Sequence, residues 1–142
     1  MAYHDDPKQV DLRRAVSAAQ YALFHLLTTE AAQNWKYETQ RNRFARMFDH
    51  GRMRKCSSSV SSRPLPTNPA EIATATDLKL VADSFVTLQQ ARHTADYDNS
   101  KVWSRTQVYE TIVQAQDAMT AWMTIREKEV AQDYLFDLMG TR

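Results

Sequence analysis

Arg92, His93, Asp96 and Tyr97 stand together in one short run of this chain. A guanidinium grips phosphate or carboxylate through a planar fork of N–H groups. Imidazole exchanges protons near neutral pH, and carboxylates or phenols assist or orient. The spacing sorts the four: Arg92 and Asp96 share one helix face, and His93 and Tyr97 share its shoulder. Two readings follow. Arg92 and Asp96 form an ordinary intrahelical ion pair, worth roughly 0.3 kcal/mol. Alternatively, Arg92 is held to meet a phosphate or a partner carboxylate, with His93, Asp96 and Tyr97 as accessory groups.

A second set lies upstream. Lys36, Arg41, Arg43, Arg46, Arg52, Arg54 and Lys55 outnumber Glu38 and Asp49, whereas Glu110 to Asp137 is acidic on balance. The net charge of +1 conceals this asymmetry. Such a basic segment faces nucleic acid or an acidic partner, or is a solvated helix face. Arg43, Arg46, His50 and Arg52 are its candidate nucleic-acid contacts. Six residues separate Arg43 from His50, and His50 could approach Arg92 in the fold.

The elements that must position these groups are helices. Two Gly and four Pro in 142 residues leave few turn formers, and period-two β-branched runs are missing. Asp6-Pro7 opens a first helix that turns Leu12, Ala15, Val16, Ala19, Leu23, Leu26 and Leu27 inward and ends near Glu30 to Asn34. Its apolar run is interrupted by Gln20 and His25, and His25 reads as a buried structural imidazole. A second helix runs from Trp35 or Thr39 to Lys55, weakened by Gly51. Residues 56–68 read as a mobile serine- and proline-containing loop. Asn68-Pro69-Ala70-Glu71, a capping-box arrangement, opens a third helix with its stripe at Leu78, Val81, Phe85 and Leu88, continued by Arg92. Ser104 and Gln107 cap a fourth, with Trp103 and Val108 as a hydrophobic staple. A break near Arg126 to Glu129 then starts a short fifth helix carrying Val130, Tyr134, Leu135 and Leu138, stopped by Gly140. The expected fold is all-α: one domain over 1–142, an antiparallel up-and-down four-helix bundle with a short fifth helix.

Composition excludes several classes. One cysteine, Cys56, allows no intrachain disulfide and suits a reducing cytoplasm. The N-terminus is no signal peptide, and the most apolar stretch, Ala15 to Leu27, is too short to span a membrane. Glu-x-x-His pairs, P-loops, G-x-G-x-x-G and G-x-S-x-G are missing, so neither metal nor cofactor is expected.

Two stretches carry a family resemblance. The Arg13-Arg14 start, the small-residue run and Tyr21-Ala22-Leu23-Phe24-His25 resemble the first helix of HEPN-domain proteins. Arg92-His93-Thr94-Ala95-Asp96-Tyr97 is similar to the Arg-x-x-Ala-Asp-Tyr of prokaryotic members. The resemblance implies a helical bundle that forms a homodimer. In catalytic members, paired Arg-x(4–6)-His motifs cleave RNA without a metal, Arg clamping the phosphate and His moving a proton. Here Tyr97 stands where that His is expected, and a phenol with a pKa near 10 is a poor base at neutral pH. The implied function is therefore a homodimeric module binding RNA, a nucleotide or a protein partner through a cleft lined by Arg92. The alternative is a toxin-like, metal-independent ribonuclease using Arg92, His93, Asp96 and Tyr97. Some members carry Tyr at that position and work beside a nucleotidyltransferase partner in toxin–antitoxin-like pairs.

Overall fold

The computed structural model describes residues 8–34 and 37–139. The expected Asp6-Pro7 opening, the Trp35 start and the Gly140 stop lie outside them. Six helices and no strand occur among the described residues: α1 (Gln9–Ala32), α2 (Glu38–Ala45), α3 (His50–Ser61), α4 (Pro69–Tyr97), α5 (Arg105–Ile125) and α6 (Glu129–Leu138). They pack as an all-α bundle.

The largest part of the core joins α1, α4 and α5. Leu23 and Leu27 of α1 meet Leu78, Val81, Phe85 and Leu88 of α4 and Trp122 and Ile125 of α5, all buried. A smaller cluster at the other end holds Leu12, Val16, Ala95, Trp103 and Val108. Full burial of each large side chain there contributes about 1.5–3 kcal/mol before ordering costs.

Hydrogen bonds give the directions. Arg13, Ser17 and Gln20 meet Ala95, Asp96 and Arg92 respectively, so α1 and α4 are antiparallel. Gln9 pairs with Trp103 and Glu30 with Trp122, so α1 and α5 run in the same sense. His50 meets Gln89 and Ser61 meets Asp83, which sets α3 antiparallel to α4 and along α1. A strict up-and-down order would have made α1 and α4 parallel. The difference arises in the second expected helix, which is two helices here. The chain breaks at Arg46–Asp49, where Asp49 turns its carboxylate onto the Gly51 N–H at 2.8 Å and caps a new helix. Gly51 therefore lies in a first turn rather than weakening a helix interior.

The expected 56–68 loop is also corrected. α3 continues through Ser61, and only residues 62–68 connect it to α4. Met53, Ser57 and Val60 form its buried stripe. Serine serves there as a small packing residue. Ser57 Oγ lies 2.6 Å from the Tyr134 hydroxyl of α6, and Ser61 donates to Asp83 of α4.

Other expectations held. Asn68 caps α4 through the Ala70 N–H at 3.0 Å, although Glu71 does not complete the expected box. Ser104 and Gln107 form the full capping box, each bond 3.1 Å, with Trp103 and Val108 buried beside it. The chain breaks at 126–128 before α6, whose buried set is Ala131, Tyr134, Leu135 and Leu138; Val130 is exposed. No helix among the described residues is long and apolar enough to cross a membrane.

Candidate functional site

The stripe of α4 is buried through Leu88 and again at Ala95, and Arg92 stands half-buried between them on the seam beside α1. Its side chain is 36% exposed. Nη1 donates to Gln20 Oε1 at 2.9 Å, and Nε lies 3.4 Å from Asp96 Oδ2. Both expected relations of Arg92 are thus present, but unequally. The Asp96 contact is long and half-solvated, so it contributes little. The Gln20 contact reaches a side chain only 1% exposed. Asp96 is held in turn by the Ser17 hydroxyl at 2.8 Å. Among the described residues Arg92 Nη2 makes no hydrogen bond, which leaves donors for an anion.

A buried and a half-buried amide flank this seam. Gln20 gives its Oε1 to Arg92 while its Nε2 has no partner among the described residues. Gln89, one helical turn before Arg92, donates Nε2 to the His50 carbonyl at 3.2 Å and leaves Oε1 unpartnered. Unmet polar atoms in a buried setting cost about 1–3 kcal/mol each, so their retention calls for a reason.

His50 opens α3 beside this pair. Its ring stacks on Phe24 at 3.9 Å and 8°. Burial lowers its proton affinity, the Arg92 charge lowers it further, and Asp49 partly opposes them. A neutral imidazole beside a permanent cation results. Phe24 is one turn beyond Gln20 on α1, so one face of that helix holds both the arginine and the histidine.

His25 is exposed, contrary to the buried role expected of it. It stacks on Tyr21 at 5.9 Å and 16°. One turn separates the two, and an exposed pair of rings settles at that spacing without entering the core.

The remaining candidates fall elsewhere. His93 and Tyr97 meet each other, ring centroids 4.9 Å apart, on the exposed side of α4, with Tyr97 74% exposed. Arg43 and Arg46 are exposed at the end of α2. Arg52, in the first turn of α3, borders an apolar hollow of ≈ 710 Å³ lined by Phe44, Met47, Phe48, Leu135 and Phe136. The seam therefore brings together Arg92, Asp96 and His50. Its braces, Ser17, Gln20 and Gln89, were not anticipated; a polar residue inside the apolar run of α1 was the one signal for Gln20. No cluster of three His, Cys, Asp or Glu side chains that could hold a metal ion occurs among the described residues. Set against known protein families, characterised proteins and solved structures, the chain matches none.

Proposed function

We propose that this chain is a HEPN-like helical module that works as a homodimer and binds the phosphate of an RNA or nucleotide at the Arg92 seam. On this reading α2 and α3 together take the place of the second helix of a four-helix core. The observation that carries it is the bracing of Arg92 by buried Gln20, with Nη2 left over and Asp96 only loosely paired. A guanidinium fixed from beneath and half open to water is preorganised for an anion. Arg43, Arg46 and Arg52 extend positive charge over α2 and α3 as contacts for the rest of a polyanion. A nucleotidyltransferase partner would present a nucleotide to the same seam, in a reducing cytoplasm that suits the free Cys56.

The test is binding of a labelled single-stranded RNA across a salt series. Affinity is expected to fall linearly on a log–log plot, and Arg92→Ala to weaken binding and reduce the slope by about 0.7. Equal binding by wild type and Arg92→Ala defeats the proposal. Light scattering that returns a monomer at all concentrations defeats its dimeric part.

A second reading is a metal-independent endoribonuclease, with Arg92 as phosphate clamp and Asp96 beside it, and with His93 and Tyr97 as accessory groups that would meet the RNA from the exposed side of α4. The lowered proton affinity of His50 near Arg92 favours it and adds a base that can take the 2′-hydroxyl proton. RNA left intact in chelator by wild type, or cut as fast by His50→Ala, removes this reading.

A further inference from the structure

We infer that Tyr21 and His25 form a stacking platform for one unpaired nucleobase beside the Arg92 clamp, an inference that rests on the phosphate-binding reading above. Four rings run in contact along α1 and onto α3. His25 meets Tyr21 at 5.9 Å, Tyr21 meets Phe24 at 6.2 Å, and Phe24 meets His50 at 3.9 Å. One end of this row lies in the field of Arg92, which acts on His50. The other end is open: Tyr21 is 55% exposed and His25 is exposed as well.

The position of Tyr21 links the two halves. It lies one turn after Ser17, whose hydroxyl holds Asp96 beside the guanidinium. A phosphate on Arg92 therefore leaves its attached nucleoside within reach of the ring row. Tyr21 and His25 stack nearly parallel, 16° between planes, and a base on an outer ring face would extend that stack. Neither belongs to the core clusters. Every base has a π-face, so such a surface accepts purines and pyrimidines alike. A duplex hides those faces in its own stack. The substrate class is thus a single-stranded or looped-out segment, held by phosphate at one end and by stacking at the other.

The experiment measures binding of three probes to the full chain: a labelled single-stranded ribo-oligonucleotide, the same backbone with abasic sites, and a duplex of equal length. Wild type should prefer the base-bearing single strand over both by about tenfold, the usual scale of one stacked base. Tyr21→Ala should remove that preference and leave the salt slope unchanged, and Tyr21→Phe should keep it. Arg92→Ala should weaken all three probes and lower the slope. If the abasic strand binds as tightly as the normal one, or Tyr21→Ala binds as wild type does while Arg92 still matters, the platform is wrong and the phosphate site stands. If no probe binds, the phosphate-binding reading fails and the platform with it. Because Tyr21 is exposed, its substitution leaves the core intact, and an unchanged melting curve verifies that.

Discussion

Gln20 accepts a hydrogen bond from Arg92 at 2.9 Å from a position that is almost wholly buried, so a neutral amide lies directly under a fixed cation. Exchanging the amide for a carboxylate keeps the size and changes the charge. Gln20→Glu is expected to pair fully with Arg92 and cancel its field at His50. The pKa of His50, now below its ordinary value, should then rise, as read from its ring proton shifts in an NMR titration. Anion binding should weaken in the same variant. A His50 titration identical to wild type would show that Gln20 does not control the charge at the seam.

His50 also makes stability depend on pH. Its folded pKa lies below the unfolded value near 6.5, because burial and Arg92 disfavour the imidazolium. Between the two pKa values the unfolded chain binds more protons than the folded one. Stability from this group therefore rises with pH through that window and is complete above about pH 6.5. It falls as the solution is acidified through the same window and levels off below the folded pKa. His50→Asn should flatten that part of a urea-denaturation series. A slope unchanged by the substitution assigns the pH dependence to another group.

The Ser57–Tyr134 bond tests the extension of α3. Both side chains are buried and 2.6 Å apart, and burial holds the phenol well above its usual pKa range despite that bond. Tyr134→Phe leaves the Ser57 hydroxyl without its partner and should cost about 1–3 kcal/mol in chemical unfolding. Adding Ser57→Ala removes the orphan and should recover part of the loss, a coupling that a double-mutant cycle reads directly. If residues 56–61 were a solvated loop, the two substitutions would be additive and Ser57→Ala neutral.

What the sequence made legible follows from periodicity. The three-four alternation of α4 carries Leu78 through Leu88 inward and correctly aims Arg92 along the same seam. The capping box at Ser104 and the break before α6 were readable because caps and overlong helices leave local marks. The serine run was misread because low bulk resembles a loop, whereas here it is small size that lets α3 approach α4 and α6. The break before His50 was missed because a lone Asp49 carries no local mark that tells a helix-interior residue from the cap it forms here. Gln20 could be seen only as an interruption of an apolar run. Which group it faced depended on α1 and α4 being antiparallel, a relation set by tertiary packing and not by local pattern.

The Gln9–Trp103 clasp joins residues 94 positions apart through two bonds of 2.8 Å, amide to backbone in both directions. It has a consequence during synthesis. The first helix leaves the ribosome well before the segments it will eventually lie against. At translation rates of about 5–20 residues per second that interval lasts roughly 5–19 s. Until α4 follows, Leu12, Val16, Leu23 and Leu27 can be sheltered only by α2 and α3 or by a chaperone, so this chain completes its core only after most of it has been made.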